Sequence, residues 1–172
     1  MSKLKVLLLA LTLSVLVFAA LQAQQQRTKG TLTALDYAEI QQLYGRYAIG
    51  YDSGNGDLFA RAFTADGTFT LPNKTVIAGR EKLAEFAAQP GGNKGPTNVL
   101  HVNSNVTIEP SSEGATATAY VLLVNIGQSG KPSALTGGGV YHDTFVKGPE
   151  GWRIKSRIYL PAHTVPAKSS AE

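Results

Sequence analysis

The stretch EIQQLYGRYAIGYDSGNGDLFARAF, residues 39–63, holds two helices and the break between them. Ile40, Leu43, Tyr44, Tyr47, Ala48 and Tyr51 recur three and four residues apart, the spacing of one buried helix face. Upstream, Thr33 is placed to cap this helix, with Asp36 three residues on as the capping-box acid. Gly54, Asn55 and Gly56 end it. A second, short helix is expected over Asp57–Phe63, with Asp57 as N-cap and Phe59 and Phe63 one turn apart. Tyr51 and Asp52 therefore stand side by side at the end of an apolar face, just before the chain breaks.

Downstream, Ala65–Gly67 reads as a turn into a short strand, TFTL, and NKTVIAG as another. REKLAEFAAQ is a third helix with Leu83, Phe86 and Ala87 on one side, and PGGNKGPT, Pro90–Thr97, is a loop by composition. The remainder is strand: NVLHVNSNVTIE, ATATAYVLLVNIGQ, TGGGVYHDTFVK and WRIKSRIYL. Their spacing and turn residues favour an antiparallel meander. The order α-α-β-β-α-β-β-β-β implies an α+β fold, with helices packed on one face of an antiparallel or mixed sheet. A strongly curved sheet makes of this a cone that encloses a pocket, with Tyr44, Tyr47 and Tyr51 aimed inward.

The N-terminus is expected to be a leader. Lys3 and Lys5 precede an apolar run from Val6 to Leu21, and Ala19, Ala20 and Ala23 supply small residues before the polar QQQRTKG. This pattern reads as a signal peptide over residues 1–23, cleaved after Ala23, and so as an exported, periplasmic or secreted chain. The competing reading is a retained membrane anchor, for which the run falls short of the roughly 20 residues of a spanning helix; with the leader cleaved, no stable membrane association is expected. Residues 24–32 read as a linker, 33–160 as one domain, and 161–172 as a disordered tail with little to bury. The leader lysines account for half of the formal charge of +4. What remains is too weak, and too scattered, to point to nucleic acid. Without cysteine the chain has no thiol nucleophile and no disulfide, so its core alone must hold it.

Four stretches together resemble the NTF2-like superfamily, in particular its SnoaL-like branch of polyketide cyclases, scytalone dehydratase and bile-acid dehydratases. They are EIQQLYGRYAIGYDSGNGDLFARAFTADGTFTL, IAGREKLAEF, VLHVNSNVTIE and GGGVYHDTFVKGPEGWRIKSR, covering most of the chain from Leu35 to Tyr159. The resemblance implies the NTF2-like cone. It also implies dehydratase-type roles for Tyr51 and Asp52, on YDSGNGD, and for His101, on LHVNSN. Where scytalone dehydratase-like chains carry a second His, this sequence has LLVNIGQ, with Asn125 and Gln128 in that vicinity. Their pocket Ser and Asn fall near Gly139 and Tyr141. The His–Asp pair alone matches the simpler dehydratases and cyclases.

Dehydration beside a carbonyl, or aldol ring closure, removes a proton from carbon and delivers another to oxygen. A histidine suits both steps, and a carboxylate on its far nitrogen fixes the tautomer. His101, Asp52 and Tyr51 are accordingly the catalytic candidates. Tyr47, Tyr44, Asn125, Tyr141 and Arg157 are the substrate-binding ones, Arg157 for an acidic group if its face turns inward. The ligand expected is a small hydrophobic carbonyl compound, with no cofactor. Three scattered histidines give no metal-ligand spacing. Plainer readings stand beside these. Asp52 can serve its own turn. Strict alternation puts His101 on the polar face of its strand with Asn103 and Asn105, so either that face lines a cavity or a bulge changes the register. Asp143 and His142 fall on opposite faces, and GGG at 137–139 suits a strand start or a close backbone approach. The alternative to a lyase or isomerase is a non-catalytic ligand-binding or assembly module. A homodimer through the outer sheet face is expected from the apolar run AYVLLV.

Overall fold

A computed structural model describes residues 31–89, 97–127 and 132–161. The expected leader, most of the linker and the tail beyond Pro161 lie outside the described residues, as do Gln128 and most of the Pro90–Thr97 loop. The elements are α1 (Ala34–Asp52), α2 (Gly56–Ala60), β1 (Phe63–Thr70), β2 (Val76–Ala78), α3 (Arg80–Ala88), β3 (Val99–Ser111), β4 (Gly114–Asn125), β5 (Ala134–Gly148) and β6 (Gly151–Pro161). No helix among the described residues is long and apolar enough to cross a membrane.

Helix α1 begins as its sequence dictates. The Thr33 hydroxyl accepts the Asp36 N–H at 3.2 Å, and Asp36 Oδ2 accepts the Thr33 N–H at 2.8 Å. Asp36 Oδ1 also takes the Trp152 indole N–H and the Lys147 ammonium, both at 2.7 Å. The helix start is thereby tied to β5 and β6. At the other end Gly54 enters the left-handed region, at φ 69°. Its N–H bonds the Tyr51 carbonyl at 3.0 Å, and the Asn55 N–H bonds that of Gly50 at 2.8 Å, so the last turn is closed.

The strands form one mixed sheet in the order β2-β1-β6-β5-β4-β3. β3 to β6 are the expected antiparallel meander, and β1 joins β6 in parallel. The sheet does not close on itself. Register shifts within the β1–β6, β3–β4, β4–β5 and β5–β6 pairings bend it around α1. Ala115, Ala117, Ala119 and Val121 make the inner row of β4, all buried. These small side chains leave room for the buried rings of Tyr44, Tyr47, Tyr141 and Phe145. A Cβ on Gly139 would collide with the Leu160 carbonyl and the Tyr159 ring, which is the close backbone approach expected of the glycine run.

Three local expectations are corrected. The second helix is capped by Asn55 rather than Asp57, with Asn55 Oδ1 accepting the Leu58 N–H at 3.0 Å, and it ends at Ala60. Phe63 starts β1 instead, although its ring stays 5.3 Å from that of Phe59. Residues 65–67 are not a turn before a strand but an irregularity inside β1, between Phe63 and Thr68. Strict alternation from Trp152 puts Arg157, five residues on, on the opposite strand face, yet both are buried. Ile154 pairs with Phe145 and Ser156 with Thr144, so Lys155 is an extra residue that shifts the alternation by one.

Candidate active site

Asp52 ends α1 and His101 lies near the start of β3. The Asp52 carbonyl accepts the Thr97 N–H at 2.9 Å, which draws the entry of β3 onto the helix end. The carboxylate then grips one residue twice: Oδ1 stands 2.6 Å from His101 Nδ1, and Oδ2 accepts the His101 backbone N–H at 2.9 Å. A carboxylate at a helix C-terminus is unfavourable by itself, since the helix dipole is negative there. The two donors of His101 offset that cost. Because the ionised carboxylate can only accept, it holds the proton of a neutral imidazole on Nδ1 and leaves the Nε2 lone pair free. The side chains are 13% and 12% exposed, enough to meet a ligand while shielded from bulk water.

A bulge decides where His101 points. Asn105 has φ 50°, unusual for a non-glycine, within the shift between Ser104 and Thr107. Before the shift, His101 and Asn103 face inward while Leu100 and Val102 are exposed; beyond it Ile108 is buried. Both alternatives left by the alternation are thus present: the polar face is the inner one, and a bulge changes the register.

Aromatic rings surround the imidazole. Tyr51 meets it edge-on at 5.0 Å between centroids and Tyr47 at 6.3 Å. Tyr51 also contacts Phe59 and Phe86, and forms one wall of a groove of about 600 Å³ with Val76, Ile77, Lys82, Glu85, Phe86 and Gln89. Farther in, the Tyr47 and Tyr141 hydroxyls are 3.2 Å apart. Burial pushes the Tyr47 hydroxyl up to about 12, against the pull of the Arg157 charge, so it is a proton donor at neutral pH. Burial likewise raises Tyr141 and Tyr44 well above the ordinary tyrosine value.

Arg157 does face inward, and its fork is already taken. Nε and Nη2 each donate to Asp143 at 2.8 Å, and the Tyr44 hydroxyl donates to the same carboxylate at 2.6 Å. Burial works against the guanidinium charge, but the carboxylate outweighs it and holds the group protonated. Asn125 serves its own loop, with Oδ1 accepting the Gly127 N–H at 2.8 Å. Asp143 was missed as a site residue. Its signal was present in VYHDTF, where Tyr141, Asp143 and Phe145 share the buried face, and an acid between two buried aromatics demands a partner.

Comparisons with known proteins agree with this architecture. A family model described as a SnoaL-like domain matches residues 32–158. The uncharacterized protein Rv2910c of Mycobacterium tuberculosis is 32% identical over 126 residues, spanning 72% of this chain and 83% of its own. Among solved structures, ActVI-ORFA of Streptomyces coelicolor matches with a TM-score of 0.66 at 24% identity, covering 77% of this chain and all of its own. An NTF2-like protein with a cystatin-like fold from Novosphingobium aromaticivorans matches at 0.65 and 20% identity, covering 87% and 90%. At such identities the structural likeness speaks for the fold alone.

Proposed function

The chain belongs to the SnoaL-like family, and from that premise we propose that it is a cofactor-independent lyase or isomerase, of dehydratase or cyclase type, acting on a small hydrophobic carbonyl compound. The observation that carries this reading is the double contact of Asp52 with His101. His101 Nε2 removes a proton from the carbon beside the carbonyl. Asp52 stabilises the imidazolium through Nδ1, and the proton is then returned to the departing or newly formed oxygen. Tyr51 donates from its hydroxyl to the substrate oxygen while negative charge develops there. The apolar walls around the dyad suit a hydrophobic substrate.

Proton removal from carbon is common to dehydration and cyclisation, so it can be tested before the natural substrate is known. The chain is expected to accelerate deuterium exchange at the α-carbons of 2-tetralone in heavy water, read by NMR. His101→Asn should lose about a hundredfold or more of that acceleration. Equal exchange by the wild type and the variant would remove His101 from the chemistry and favour the ligand-binding module.

Two further proposals concern the whole chain. It is exported with its leader removed after Ala23, and it pairs with a second copy through the outer sheet face. Support for the pairing is the exposure of Leu100, Val102, Tyr120, Leu122 and Ile158 on that face, each 40% or more exposed.

A further inference from the structure

The outer face of β3, β4 and β5 is ordered in rows by the cross-strand register. Val102, Leu122 and Gly138 share one row, Tyr120 and Val140 the next, then Thr118 and His142, and last Glu109, Thr116 and Thr144. The first two rows are apolar and the last two carry hydroxyls. Glu109 and His142 lie in one cavity of about 600 Å³, on either side of β4. Neither forms an ion pair among the described residues; His142 Nδ1 meets the Thr118 hydroxyl at 3.4 Å. The apolar rows hold a second mismatch. Val102 stands exposed on β3, while Gly137, Gly138 and Gly139 of β5 floor a cavity of about 450 Å³ between Leu122 and Leu135. In both halves of the face a feature on β3 has its complement on β5: an acid and an imidazole, an apolar knob and a bare floor.

We propose that a second copy of this chain covers this face about a two-fold axis running along β4. This rests on the pairing through the outer sheet face proposed above, and supplies its geometry. Rotation about such an axis sets β4 against its own copy and exchanges β3 with β5. Tyr120 and Leu122 then meet their own counterparts. Val102 comes over the glycine floor of the second copy, and Glu109 comes opposite the second copy's Thr144, one row from its His142. The imidazole N–H donates to the carboxylate on each side of the axis, so the contact is made twice. Other axes lose this match. One placed between β4 and β5 sets β3 over β6, which carries Glu109 to Ser156 and takes Val102 off the glycines. One running across the strands reverses the rows and lays the Glu109 charge and the hydroxyls against Tyr120 and Leu122, where they would be stripped of water without a partner.

The chain has no cysteine, so single cysteines can map the axis in the full chain. Packed sheets lie about 10 Å apart, so Tyr120→Cys, on the axis, brings two thiols within reach of a bis-maleimide of that length. Ser156→Cys, two strands away on β6, leaves them well beyond it. Cross-linking of the first variant and not of the second is expected. Charge reversal gives an independent reading by sedimentation. His142→Glu brings like charges together on each side of the axis and should weaken dimerisation about tenfold or more. Adding Glu109→Lys should restore it, with melting temperatures showing that both variants fold. Cross-linking through Ser156→Cys rather than Tyr120→Cys, a dimer linked by neither, or a folded double variant as weak as the single one would overturn the axis. The two readings fail separately. A monomeric wild type removes the pairing itself, whereas a wild-type dimer with any of these results removes this arrangement alone.

Discussion

Asp52 does two things at once: it orders the imidazole of His101 and pins the backbone that carries it. Asp52→Asn keeps the size but offers an amide that can donate to Nδ1, favouring the other tautomer. The expected result is a fall of about a hundredfold or more in α-proton exchange with the melting temperature little changed. A variant with undiminished exchange would show that the orientation of His101 does not matter. The buried Arg157–Asp143 pair obeys a different rule. Asp143→Leu leaves a guanidinium without its counter-ion and should cost about 3–5 kcal/mol in denaturant unfolding. Adding Arg157→Met should recover much of that loss, because the penalty comes from the abandoned charge rather than from the pair. A double variant as unstable as the single one would contradict this.

At the scale of elements, position is set by register. The Asn105 bulge keeps His101 inward while Ile108 joins the core. Asn105→Val places a β-branched residue at φ 50°, and is expected to cost about 1–2 kcal/mol and to lower exchange activity; Asn105→Gly should spare both. Helix α1 is held at its start by Asp36, whose carboxyl is kept well below the usual carboxylate range by Lys147, Thr33 and Trp152. A folded-state pKa below the unfolded one contributes stability above about pH 4 that is lost as acid protonates the group. Wild type should therefore exceed Asp36→Asn in stability at neutral pH, with the gap closing as the pH falls through that range. A gap independent of pH would locate the effect in packing. The periodicity of α1, its capping box and the antiparallel meander of β3 to β6 were legible in the sequence, whereas the parallel pairing of β1 with β6 was not. The bulges at Asn105 and Lys155 were not, because alternation assumes an unbroken ladder and neither residue type announces a break.

The whole molecule joins a scaffold and a site that differ in how well the sequence shows them. Helices and strands follow from patterns a few residues long. The dyad joins residues 49 apart in the chain, and the inner pair joins Tyr44 to Asp143 across 99. No local pattern brings such residues together, and His101 stood out through family resemblance rather than strand alternation. Asp143 could have been suspected from its aromatic neighbours on the inner face. Assembly can be tested by sedimentation: the wild type should run as a dimer and Leu122→Lys as a monomer. A monomeric wild type would end the pairing proposal. Purification from an exporting host should yield a mature chain beginning at Gln24, read by intact mass.

The most direct measurement on the central claim needs no substrate. Nitrogen NMR of the His101 ring, at a pH where it is neutral, reports which nitrogen carries the proton. The structure predicts the proton on Nδ1, facing Asp52, and a bare lone pair on Nε2. A proton found on Nε2 would leave His101 without the base the proposed reaction requires.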